Sequence, residues 1–92
     1  MSELDGEWEV QRVSGALPPL AGMRKRISGA RGATVLPGGL HLWFAVVGHE
    51  LRYRRPFSMV VDVLEADTDG WHGRATVFGR TVGKFRMSRR AT

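Results

Sequence analysis

The sequence predicts an all-β fold, an antiparallel meander of six or seven short strands in one domain that spans residues 1–92. Apolar and polar residues alternate from Leu40 to Met87, in short segments cut by turn-forming residues. The 12 Gly and 4 Pro suit a turn-rich chain. Most connections are short, which favours antiparallel neighbours. Such a sheet forms a small barrel, or a half-barrel that a second copy completes.

The first strand is predicted over Gly6–Val13, where Trp8 and Val10 alternate with polar residues. The pair Pro18-Pro19 ends this segment. Residues 20–27 have no clean period and fit a strand or a short helical turn, so the conformation of residues 14–32 stays open. A further short strand is predicted at Ala33–Leu36, between Gly- and Pro-containing turns.

The clearest hairpin joins Leu40–Val47 to Leu51–Arg54 across Gly48-His49. A two-residue turn with Gly first predicts type II′ geometry. This register places Phe44 opposite Tyr53, on one apolar face of the hairpin. The other face of the hairpin, which we expect to face solvent, carries His41, Trp43, Arg52 and Arg54.

The next strand is predicted over Ser58–Glu65, with Met59 and Val61 toward the interior. The final hairpin joins Trp71–Phe78 to Val82–Met87 around Gly79-Arg80. A strict two-residue turn there would set Phe85 opposite Arg74, which is a poor match. We therefore expect either a three-residue loop, Gly79 to Thr81, or a bulge at Gly83.

Composition excludes several classes of function. The chain has no Cys, so it has neither disulfides nor thiolate chemistry. No serine lies in a nucleophile elbow, and the three His lack metal-ligand spacing, so we expect no enzyme activity, no metal and no cofactor. There is no long apolar run and no signal-peptide pattern, so we expect a cytoplasmic protein without a membrane partner. The Arg-rich, Asn-free composition indicates a bacterial source.

The concave face of such a sheet predicts a site for a small apolar or amphipathic ligand. We expect Phe44, Tyr53 and Trp71 to line the site, together with Leu42, Met59, Val61 and Phe85. An anionic head group would meet a basic rim formed by Arg24, Arg52 and Arg54. The alternative is that the apolar residues only fill a core.

Two partner hypotheses stand beside the ligand hypothesis. A homodimer would form through a sheet edge or through the face that carries Trp43. The net charge of +5 favours anionic partners, and Trp43 beside Arg54 would suit a base-stacking platform for a nucleotide or single-stranded nucleic acid. No nucleic-acid-binding motif supports that platform, so a homodimer is the favoured partner.

Gly6-Glu7-Trp8 resembles the Gly-x-Trp opening of the calycins, the lipocalin and fatty-acid-binding superfamily. The resemblance implies that Trp8 closes one end of a barrel and that a basic residue on the last strand packs across it. Arg86 stands where that residue is expected. Calycin barrels have about eight to ten strands in a longer chain, so the resemblance implies a reduced barrel, or a half-barrel that a second chain completes. The Arg-x-Tyr carboxylate motif is missing, so the ligand-binding residues of the family are not implied.

Overall fold

The computed structural model describes residues 3–15, 23–68 and 70–89. Eight antiparallel strands pair in chain order, and β1 pairs with β8, which closes the barrel. The strands are β1 Gly6–Gly15, β2 Arg24–Ser28, β3 Arg31–Val35, β4 His41–Val47, β5 Glu50–Tyr53, β6 Val60–Asp67, β7 Gly70–Val77 and β8 Arg80–Arg89. The all-β antiparallel barrel is therefore confirmed. The count of six or seven strands is wrong, and so is the half-barrel, because the first and last strands pair within one chain.

The uncounted strand is β2, in the stretch for which the sequence left helix and strand open. Lys25 and Ile27 are buried in the interior, whereas Arg24 and Arg26 face outward. A charged residue at an inward position breaks the usual alternation of apolar and polar residues, and this hid the strand. The predicted stop at Pro18-Pro19 lies outside the described residues.

The β4–β5 hairpin has the predicted register, with Phe44 opposite Tyr53 and Val47 opposite Glu50. Gly48 has a φ of 61°, as its first-position role in the tight turn requires. The predicted orientation of β6 is wrong. Asp62 and Leu64 are buried on the interior face, and Val61 lies on the outer face.

The β7–β8 hairpin turns at Phe78-Gly79, one residue earlier than predicted. Thr76 pairs with Thr81, and Ala75 pairs with Gly83, so Val82 is the extra residue of a bulge. The bulge restores the phase of the inward residues, as expected from the register.

Two glycines let aromatic rings cross the barrel interior. A Cβ at Gly73 would collide with the Phe85 ring on the neighbouring strand. A Cβ at Gly32 would lie 2.6 Å from the Phe44 ring. Glycine is needed at both positions because a small barrel has no other space for these rings.

The two ends of the barrel differ. The closed end carries the β2–β3, β4–β5 and β6–β7 turns, and the open end carries the β3–β4, β5–β6 and β7–β8 connections. Apolar side chains fill the half toward the closed end: Leu4, Trp8, Ile27, Phe44, Leu51, Leu64, Trp71 and Met87. Full burial of one such side chain contributes about 1.5–3 kcal/mol, so this half is the main hydrophobic core.

The residues before β1 cap the closed end. The Trp8 indole Nε1 donates a hydrogen bond to the Leu4 carbonyl at 2.8 Å, and Leu4 is fully buried. The Arg89 guanidinium stacks on Trp8, with 4.3 Å from Cζ to the ring centroid, and donates to the Asp5 carbonyl at 3.0 Å. A basic residue of the last strand therefore packs across the Gly-x-Trp tryptophan.

That basic residue is Arg89, and the assignment to Arg86 is wrong. Phe85 and Met87 point into the barrel, so Arg86 between them points outward. Its Nη2 lies 3.5 Å from Asp67 Oδ2, and His72 Nε2 lies 2.6 Å from the same oxygen. The Thr68 backbone amide holds the pKa of the half-buried Asp67 carboxyl below its usual value, and His72 and Arg86 lower it further.

No helix within the described ranges is long and apolar enough to cross a membrane.

Candidate functional site in the barrel interior

A cavity of about 190 Å³ occupies the half of the barrel toward the open end. Most of its wall is apolar, and one side of the wall is polar. The apolar lining residues are Val10, Met23, Leu42, Phe57, Val60, Ala75 and Phe85, and the polar ones are Lys25, Thr34, Tyr53 and Asp62. Phe57 is partly exposed at the rim, whereas the four polar residues are buried. The cavity therefore combines an apolar wall with a buried polar cluster, which we call the Lys25 cluster.

The Lys25 cluster joins four strands through the lysine ammonium group. Lys25 Nζ donates to Thr34 Oγ1 at 2.6 Å, to the Tyr53 hydroxyl at 2.8 Å and to Asp62 Oδ2 at 3.1 Å. Lys25 and Asp62 are each 3% exposed, so this is a buried salt bridge. All three ammonium protons have acceptors, which a buried cation requires.

The remaining protons of the cluster follow from the geometry. The Tyr53 hydroxyl donates to Asp62 Oδ2 at 2.9 Å. Its contact with Thr34 Oγ1 at 2.6 Å then uses the threonine proton, with Tyr53 as acceptor. Every donor is used, and no buried side-chain nitrogen or oxygen in the described part of the chain lacks a partner. The cluster is thus a satisfied polar network with no net charge.

Opposing effects set the charge of Lys25. Burial lowers the pKa of its ammonium, but the nearby Asp62 carboxylate and the Tyr53 hydroxyl outweigh this and hold the pKa above its ordinary value. The rings of Phe44, Tyr53 and Phe85 lie 5.3–5.7 Å from Nζ and favour the cation further. Lys25 is therefore an ammonium at neutral pH and not an amine nucleophile.

Burial raises the pKa of the Tyr53 hydroxyl, and the neighbouring ammonium of Lys25 opposes this only in part. Tyr53 is therefore a neutral hydrogen-bonding group at physiological pH. Asp62 supplies the single negative charge of the cluster, opposite the single positive charge of Lys25.

Of the residues expected at the ligand site, the structure brings Leu42, Tyr53 and Phe85 to the cavity. Phe44 and Trp71 are packed in the core of the closed half, where Trp71 lies edge-on to His49 at 5.0 Å. The three predicted rim arginines do not line the cavity: Arg24 and Arg52 lie on the outer surface, and Arg54 is exposed at the open end beyond β5. Arg52, for example, pairs with Glu50 at 2.9 Å. The cation at the cavity is Lys25.

Sequence reasoning missed Lys25, Thr34 and Asp62 because it placed polar residues outside the barrel. One signal was present. Asp62 is the single polar residue of the run 59–64 and shares a strand face with Val60 and Leu64. Two apolar neighbours on its own face indicate that this face, with Asp62, points inward. A buried acidic residue requires a buried cation. Of the basic residues 24–26, Lys25 is the one on the inward face of its strand.

A larger groove of about 730 Å³ lies on the outer face of β1 to β4. There Trp43 stacks on His41, with 5.3 Å between ring centroids, and Arg26 pairs with Glu7 at 3.3 Å. The Arg54 amide donates to the Trp43 carbonyl, so the predicted neighbours meet through their backbones. The ion pair between Arg26 and Glu7 is solvent-exposed, so it contributes little binding or folding free energy. The interior cavity, with its buried charges, is therefore the candidate site.

Among the described residues, no three His, Asp or Glu side chains are grouped to hold a metal ion. The chain matches no protein-family model, no curated protein and no solved structure.

Proposed function

We propose that this protein is a lipocalin-like binding barrel that holds a small, uncharged, amphipathic molecule in its interior. The observation that carries the proposal is the cavity of about 190 Å³ with apolar walls and the Lys25 cluster in its lining. Binding places the apolar body of the ligand against Ala75 and Phe85 and its polar group on the cluster. No step of chemistry is needed.

The size of the cavity limits the ligand. Its volume equals that of about six water molecules, which is the space of one ring with a short substituent. Barrels of about eight strands hold a single small ligand or none. Long-chain fatty acids are therefore too large for the described cavity.

The charges of the cluster select an uncharged ligand. Lys25 is already neutralised by Asp62, so a bound anion would bring an uncompensated charge into a buried site. The described contacts of Asp62 run through Oδ2, so Oδ1 is the oxygen that a ligand donor can reach. A ligand hydroxyl or amide N–H suits this position. This replaces the expected anionic head group at an arginine rim.

Stability alone does not require the cluster. Replacing a buried ion pair with apolar residues of similar volume is often neutral or stabilising. An ion pair that lines a cavity is therefore better accounted for by ligand recognition than by packing.

Calorimetric titration with three matched probes tests the proposal. p-Cresol, toluene and p-toluate share one apolar body and differ in the polar group. We expect saturable binding of p-cresol, about tenfold weaker binding of toluene because the hydrogen bond to a charged group is lost, and no binding of p-toluate. Ala75→Leu fills the cavity and should abolish binding. Ala45→Leu, on the outer face of β4, should not.

Equal binding by the Ala75→Leu and Ala45→Leu variants would show that the ligand site lies outside the barrel interior. Preference for p-toluate would contradict the charge argument. Absence of binding by all three probes would favour the alternative of a ligand-free interaction protein, in which a homodimer is detected by light scattering.

A further inference from the structure

Exposed apolar side chains gather at the open end of the barrel. Phe78 is 81% exposed at the β7–β8 turn, and Leu40 is 61% exposed before β4. Phe57, Val13 and Val82 are also exposed at this end. Elsewhere in the described ranges, large exposed apolar side chains occur at Trp43 and Val47. The apolar surface is thus concentrated around the cavity mouth.

The Phe78 position is unusual in its backbone as well. Its φ of 51° is left-handed, which a bulky residue rarely adopts. The side chain gains no core packing in return, because it projects into solvent. With a φ of 81° at Gly79, the pair gives the two-residue turn the positive φ values of a type I′ hairpin, whose central positions Asn, Asp or Gly usually fill. The turn itself needs no exposed phenyl ring, which points to a role for the ring.

Charge is distributed unevenly along the barrel axis. Arg54, Arg55 and Arg80 are exposed in or beside the connections of the open end. Carboxylates lie at the closed end, where Glu3 contacts His49 at 3.0 Å and Asp67 contacts His72. The described residues of the open end therefore present cations beside apolar side chains, whereas the closed end presents both signs, because Arg31 and Arg89 lie there with the carboxylates.

We propose that the open end docks on the surface of an anionic phospholipid bilayer. The phenyl rings of Phe57 and Phe78 would enter the interfacial region, and the exposed arginines would face the lipid phosphates, the combination that holds peripheral proteins on membranes. Docking of this kind needs no membrane-spanning segment. It replaces the expectation of no membrane partner, which rested on the lack of a long apolar run.

The same surface fits nucleic acid less well. Base stacking needs a flat aromatic platform beside cations. The exposed indole of Trp43 lies on the side of the barrel, where it stacks on His41 and is joined to Arg54 only through the backbone. Two open ends of this chain repel each other, because both are basic. A bilayer with acidic head groups satisfies both the charge and the apolar side chains.

Vesicle co-sedimentation tests the proposal with the full chain. We expect binding to phosphatidylcholine vesicles that contain phosphatidylglycerol, little binding to phosphatidylcholine alone, and release at high salt. Phe78→Ser should weaken binding severalfold, and Val47→Ser at the closed end should not. Arg55→Gln with Arg80→Gln should weaken it by about tenfold or more. Arg31→Gln with Arg52→Gln removes the same charge elsewhere and should have a smaller effect.

Lack of binding to anionic vesicles at low salt overturns the proposal, as does equal loss in the open-end and control variants. Retention of a single-stranded oligonucleotide that is lost in the same open-end variants would assign the surface to nucleic acid instead. Oligomers in light scattering that the Phe78→Ser change dissolves would assign it to a second copy. None of these outcomes depends on ligand binding in the cavity.

Discussion

Lys25 and Asp62 show how two single residues determine the interior of this barrel. Each is an isolated polar side chain among inward apolar residues, and each neutralises the other at 3.1 Å. Thr34 and Tyr53 complete the hydrogen bonds that a buried pair requires. The polar lining of the cavity therefore depends on these four residues together, and removal of one leaves a partner unsatisfied.

Removing one charge should cost far more than removing both. Asp62→Asn keeps the shape of the side chain but leaves the Lys25 ammonium buried without a counter-charge, so we expect a loss of about 3–5 kcal/mol in the free energy of unfolding. The double change Lys25→Met with Asp62→Leu should be within about 1 kcal/mol of the native protein, or more stable. Denaturant unfolding monitored by circular dichroism measures both. A double variant as unstable as Asp62→Asn would show that the cluster is needed for folding.

At the scale of elements, β4, β5 and their turn followed from the sequence, because Gly48 fixes the turn and the apolar faces fix the register. The β2 strand and the inward face of β6 did not follow. In both, a charged residue points inward, and the pairing of Lys25 with Asp62 spans 37 residues, which local periodicity does not register. The polar part of the candidate site was missed for the same reason, apart from Tyr53, whereas Leu42 and Phe85 of its apolar wall were predicted.

The closing contact at Trp8 belongs to Arg89 for a reason of parity. Arg86 and Arg89 are three residues apart, so they lie on opposite faces of β8. Arg89 lies on the same face of β8 as the inward residues Phe85 and Met87. Its guanidinium therefore reaches the Trp8 indole at the closed end.

Substitution of these two arginines should give different results. Arg89→Ala removes the stacking on Trp8 and the hydrogen bond to the Asp5 carbonyl, so we expect a loss of about 1–2 kcal/mol in the free energy of unfolding. Arg86→Ala removes a partly exposed contact to Asp67 and should cost less than about 1 kcal/mol. Urea unfolding of both variants gives the comparison. A larger effect from Arg86→Ala would contradict the assignment of the cap to Arg89.

For the whole molecule, short strands explain how 92 residues close an eight-stranded barrel. The family resemblance suggested that the chain was too short, since it presumed strands and loops of ordinary length. The strand β5 has only four residues, and tight turns join most neighbours at the closed end. Closure removes exposed sheet edges, so a second copy is not needed to protect them.

Because Lys25 and Tyr53 are buried in their protonated forms, the free energy of unfolding of the barrel should fall at alkaline pH. Folding raises the pKa of both Lys25 and Tyr53, so the folded chain holds protons that the unfolded chain loses. The contribution of these groups to stability is complete below their ordinary values, near pH 10, and falls as the pH rises above them.

Ultraviolet titration of tyrosinate tests the buried cluster most directly, because Tyr53 is the single tyrosine of the chain. We predict that Tyr53 stays protonated past its ordinary range near pH 10 and ionises only as circular dichroism reports loss of the barrel. A tyrosine that titrates near pH 10 while the barrel remains folded would contradict the buried Lys25 cluster.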